Sequence, residues 1–151
     1  MTDKNTCVSG SLPAFELLEP RLLLSGSVVI SEFMASNDLA ILDGDGNSSD
    51  WIELYNPTAE PVDLEGWFLT DEAADLVQWE FPEITLAASG DPGGDDYLIV
   101  FASGQDDADY PYWDGQYYHT NFKLSTNEGD QHESVLLVRG DGLTIEHGYE
   151  D

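Results

Sequence analysis

Beyond residue 27 the chain breaks into short β-branched and aromatic runs, with turn signals roughly every 8–12 residues and no sustained helical period. That pattern argues for an all-β sandwich of about eight strands rather than a βαβ fold. Residues 28–34 (VVISEFM) predict a first strand whose Ile30 and Phe33 fall out of phase, which a bulge or burial of both faces accounts for. Residues 50–71 (DWIELYNPTAEPVDLEGWFLTD) predict a β-hairpin. Ile52 and Leu54 share one face, and Trp51, Glu53 and Tyr55 share the other. Asn56-Pro57 opens its turn, Glu60-Pro61 closes it, Val62 and Leu64 form the return, and Gly66 marks a bulge or crossing. Residues 76–81 and 84–88 follow as further strands. The continuous apolar run at 97–101 predicts a central strand covered on both faces. Residues 135–139 and 143–146 predict a closing hairpin, because Asp141-Gly142 between them tolerates the positive φ of a tight turn.

Residues 1–27 read differently. Pro20 blocks a continuous helix through the Leu-rich stretch, leaving an irregular or partly helical extension with a short helix over 20–24 ended by Gly26. The expected division is therefore an extension over 1–27 and a domain over 28–151. Cys7 is the single cysteine, so no disulfide framework exists within the chain. No apolar run approaches the roughly 18 residues of a membrane-spanning helix.

Charge narrows the partners. Thirty-one Asp and Glu face four Lys and Arg, a formal net charge of −27. Such a chain repels itself, and salt or divalent cations relieve the repulsion. Without a basic patch there are no counterions to release from phosphates, which excludes nucleic acid and anionic membrane surfaces. Membrane insertion is not expected either.

Two stretches are candidate sites. The loop with Asp43, Asp45, Asn47 and Asp50 has oxygen donors at alternate positions, as a calcium ion requires. The full helix-loop-helix calcium pattern fails, since Ser48 replaces the required glycine and Leu54 the bidentate glutamate. The plain alternative is an exposed Asp/Gly turn. The insert over 105–119 offers Tyr110, Tyr112, Trp113, Tyr117 and Tyr118 beside several acids, the chemistry of a sugar-stacking platform. Its plain alternative is a loop whose rings cap the sandwich. His119, His132 and His147 lack the paired spacing of a zinc site and read as surface or strand-end residues. With 31 acids, chance carboxylate pairs carry no weight as a glycosidase dyad. No nucleophile elbow, phosphate loop or cofactor fingerprint is present, so no enzymatic activity is expected.

Several spaced motifs, in order, carry a resemblance. They are Ile30, Glu32 and Asn37; then Asp50 to Asn56 (DWIELYN); then Val62 to Asp71 (VDLEGWFLTD); then Tyr97 to Ser103 (YLIVFAS); then His119 to Ser125 (HTNFKLS); then Val135 to Val138 with Asp141-Gly142. Together they resemble the lamin tail domain, an immunoglobulin-like β-sandwich, over about residues 28–151. Leu18-Glu19-Pro20-Arg21, one variable residue, and Leu23-Leu24 resemble the bacterial LEPR-XLL motif found at the front of large secreted or surface proteins. The resemblance implies a non-enzymatic module of an extracellular or cell-surface protein, mediating protein interaction, display or spacing. Its partners would be proteins or an extracellular polymer. A carbohydrate-binding or calcium-stabilised adhesion module is the alternative.

Overall fold

A computed structural model describes residues 27–38, 40–105, 111–124 and 134–150. The LEPR-XLL-like stretch, Cys7, Tyr110 and His132 lie outside the described residues. The described residues form eleven strands and no helix. They are β1 (Val29–Met34), β2 (Asp50–Tyr55), β3 (Val62–Asp63), β4 (Phe68–Thr70), β5 (Trp79–Glu80) and β6 (Thr85–Leu86). Then come β7 (Tyr97–Ala102), β8 (Tyr112–Trp113), β9 (Tyr118–His119), β10 (Ser134–Val138) and β11 (Ile145–Glu150).

A five-stranded sheet runs β1-β2-β7-β9-β8, a four-stranded sheet runs β11-β10-β4-β5, and β3 pairs with β6 in a small third sheet. The core lies between them. Ile30, Ile52, Leu54 and Val100 come from the five-stranded sheet, and Leu69, Trp79, Val135 and Leu137 from the four-stranded one. Each such burial contributes about 1.5–3 kcal/mol before the entropy of ordering is counted. The phase break in β1 is a bulge: the register slips between Ile30 and Glu32, so Phe33 returns to the same face as Ile30.

One expectation is overturned. Residues 50–71 do not form a hairpin, because β2 pairs with β1 and β7 while β3 pairs with β6. The cause sits at the end of β2. Asn56 is wholly buried, and its amide donates to Glu60 O at 2.8 Å and Ala87 O at 2.7 Å. That clamp directs the return segment against the stretch around β6 rather than back along β2. Gly66, at φ +74, then turns the chain into β4 of the other sheet.

The central placement of residues 97–101 holds, with β7 antiparallel to β2 and parallel to β9. Only its second half is covered on both faces: Val100 and Phe101 are buried, whereas Tyr97 is exposed and stacks on Tyr55 at 4.4 Å. The Asp141-Gly142 hairpin also holds, and its second strand runs further than expected, to Glu150. The outer edges of the two sheets meet at β1 and β11. There Ile30 N–H donates to His147 Nδ1 at 3.2 Å, and Ser27 and Arg139 both bond Glu146.

Candidate functional site

The acidic loop between β1 and β2 is built by its own carboxylates. Asp43 is buried, and its Oδ1 accepts the N–H groups of Asp45 at 3.1 Å and Asn47 at 2.8 Å. Its Oδ2 accepts the Ser49 hydroxyl at 3.3 Å. Asp50 Oδ1 accepts the N–H groups of Ser36 at 2.8 Å and Asn37 at 3.2 Å, holding Ser36 at the unusual φ of 120°. Asp45 Oδ2 accepts the Tyr112 hydroxyl at 2.9 Å. Asn47 enters through its backbone, which returns a bond to Asp43 N–H at 2.9 Å. The three carboxylates of the loop therefore point to three different partners. Among the described residues no group of three or more His, Cys, Asp or Glu is gathered as a metal ion would need.

The aromatic insert returns as the β8–β9 hairpin on the far edge of the five-stranded sheet. Pairing places Ile52, Val100, Tyr118 and Trp113 in one row across the sheet, and Trp51, Phe101, His119 and Tyr112 in the next. Neighbouring rows face opposite sides. The rings therefore divide. Tyr118 packs against the core with Trp113 tilted on it at 4.6 Å, and Trp113 keeps 49% of its surface exposed. On the other face Tyr112 sits edge-on to His119 and Tyr117 edge-on to Phe101, each at 5.0 Å. Among the described rings there is no single flat platform.

What joins loop and insert is Asp114. Its Oδ1 accepts the N–H groups of Gln116 and Tyr117, both at 2.7 Å. Its Oδ2 accepts Gly44 N–H at 2.6 Å and His119 Nε2 at 2.9 Å. The His119 and Asp114 side chains are 1% and 0% exposed. Burial pushes the Asp114 carboxyl up, but the bonds from His119, Tyr117, Gln116 and Gly44 outweigh it and hold the group at about 2. The carboxylate is thus ionised and accepts only, which assigns the ring proton to Nε2. Nδ1 shares a hydrogen bond with the Ser103 hydroxyl at 2.8 Å.

Hydroxyl, imidazole and carboxylate stand here in the order of a hydrolytic triad. Two observations argue for a strut instead. The imidazole is enclosed. The N–H of Gly104, which follows the hydroxyl, is spent on Phe122 O at 2.9 Å rather than free for an oxyanion.

The two candidate stretches are therefore one tied structure at one end of the sandwich. Asp114, His119 and Ser103 hold it: Asp114 is one of the acids beside the rings, and His119 stands at the end of β9 but is buried rather than on the surface. The readable signal was Asp114-Gly115, a turn dipeptide between aromatic pairs.

The family model described as Lamin Tail Domain matches residues 24–150. The chain belongs to the lamin tail domain family. No curated protein matches it. Lamin tail domains are immunoglobulin-like interaction modules and are not known as enzymes, which agrees with the all-β sandwich described above. No helix among the described residues is long and apolar enough to cross a membrane.

In this lamin tail domain Gly44 is a steric requirement. A Cβ there would lie 2.5–2.8 Å from the Asp114 carboxylate atoms. Gly44→Ala is expected to release the tie and cost about 1.5–3 kcal/mol, the range for a bond to a charged group. Thermal unfolding measures it. Adding Gly44→Ala to Asp114→Asn should cost little more, because both remove one interaction; additive losses would contradict the tie.

Proposed function

We propose that this lamin tail domain is a non-enzymatic interaction and display module of a secreted or cell-surface bacterial protein. The observation that carries this reading is the tied end of the sandwich. Leu42 and Trp113 are 46% and 49% exposed, and each stands two residues or fewer from a group in the Gly44–Asp114 bond. Exposed apolar side chains on segments fixed by buried polar bonds suit recognition, since little order is lost on binding. The acidic composition keeps such a module soluble and away from phosphates. The LEPR-XLL-like stretch supports the extracellular destination.

The test is a photoreactive residue in place of Trp113, in the native host. A discrete protein adduct is expected, removed by protease treatment of intact cells. The same residue in place of exposed Glu72 should give none. Equal labelling at both positions, or an adduct protected until lysis, would count against the reading.

A further inference from the structure

Beside the tie lies a cleft of about 160 Å³ lined by Ser48, Ser49, Asp50, Ala102, Ser103 and Lys123. It opens where β2 begins and β7 ends: Asp50 pairs with Ala102, and Ser103 bridges to Lys123. Its chemistry is unusual for this chain. Two cations lie among the described residues. Arg139 is paired with Glu146, whereas no described carboxylate is within ion-pair reach of Lys123. Its ammonium therefore has no carboxylate partner among the described residues, in a chain of net charge −27. The stem crosses Gly104, where a Cβ would lie 3.0 Å from Lys123 Cγ and Cε.

In the same lining Asp50 offers the complementary group. Its Oδ1 is taken by Ser36 and Asn37, and its Oδ2 accepts no bond from a described residue. Hydroxyls complete the lining. Ser103 Oγ shares a hydrogen bond with His119 Nδ1 at 2.8 Å, Ser49 bonds Asp43, and Ser48 is exposed. The lining thus holds an ammonium donor, an acceptor-only oxygen and several hydroxyls.

A ligand that satisfies this lining must donate and accept on neighbouring atoms. An anion would satisfy Lys123 but meets Asp50 and the field of the whole chain, and a cation meets Lys123. A neutral polyhydroxylated ring meets neither objection, and the volume suits one ring rather than a chain of them. We propose that this cleft is a binding site for a single neutral sugar residue, with Lys123 and Asp50 as its polar anchors. A polar ligand of that size binds with roughly millimolar Kd.

The test is an amide-resolved NMR titration of the full chain. The probes are the methyl glycosides of glucose, galactose and mannose, and N-acetylglucosamine, with acetate and glucuronate as anionic arms. Saturable shifts are expected at Ser48 to Asp50, Ala102, Ser103 and Lys123 with at least one neutral sugar. Lys123→Met should weaken that binding about tenfold or more with the melting temperature unchanged. Ser48→Ala, on an exposed residue, gives a second variant should Lys123→Met disturb the fold. The proposal falls if no neutral sugar gives saturable shifts, or if acetate or glucuronate shifts the same amides at lower concentration. It also falls if the shifts centre on Trp113 and Tyr118, or if both variants bind as the parent does.

Discussion

Asp114→Ala is expected to cost about 3–5 kcal/mol, because it removes four hydrogen bonds to a charged group, each worth about 1.5–3 kcal/mol where water cannot replace it. The bonds come from the N–H groups of Gly44, Gln116 and Tyr117 and from Nε2 of His119, of which those of Tyr117 and His119 are part-buried. Against a typical total of about 5–15 kcal/mol this is a large fraction, and the melting temperature should drop by roughly 10 °C or more. The same carboxylate sets an acid limit. Its value of about 2 in the folded chain lies below the ordinary 3.8. A depressed folded pKa stabilises above the unfolded value and loses that contribution as pH falls from about 4 to about 2. Asp114→Asn should therefore be less stable than the parent at neutral pH and lose less on acidification. The slope will not vanish. Asp141 is also held at about 2, by the Thr144 hydroxyl and the N–H groups of Thr144 and Leu143. Equal acid profiles for parent and Asp114→Asn would remove the tie from the account of stability.

Nothing in the sequence marks Asp114 for this role, for a physical reason. Among 31 acids nothing local marks one as buried. Its partner Gly44 stands 70 residues away, and burial arises only when β9 pairs in parallel with β7. Periodicity reports which face a residue takes, so the faces of Ile52 and Leu54 and the bulge at β1 were legible. It does not report which strand lies alongside, and the 50–71 hairpin failed for that reason. Alternation continued across Asn56 as though the chain doubled back, whereas the pairing was decided by a buried amide reaching Ala87. The acidic loop shows the same limit. Alternate oxygens suit either an inward-facing ion or a self-bonded turn, and in the structure Asp43 bonds the N–H groups of its own loop.

Asn56→Ala is the second large effect, expected at about 3 kcal/mol. The side chain donates to Glu60 O and Ala87 O and accepts the Thr58 N–H at 3.0 Å and the Thr58 hydroxyl at 2.7 Å. Alanine leaves these groups to be satisfied by water or not at all, and each unmet buried group costs about 1–3 kcal/mol. Denaturant unfolding with an unchanged slope measures the loss. Asn56→Asp sharpens the test. It keeps the acceptor for Thr58 but turns a carboxylate oxygen toward two carbonyl oxygens, so at neutral pH it should be no more stable than alanine. Repulsion and burial there raise the new carboxyl's pKa, so this variant should gain stability relative to the parent as pH falls and the acid becomes a donor. A neutral-pH Asp variant matching the parent would show that the clamp does not direct the chain. Position supplies a further check. Asn56 follows the last residue of β2, and the cleft and the Asp114 tie lie at its first, Asp50. Six residues of strand separate the ends by roughly 20 Å. At that distance the losses from Asn56→Ala and Asp114→Asn should add to within about 0.5 kcal/mol, and the amide shifts of Gly44 and Gln116 should not respond to Asn56→Ala.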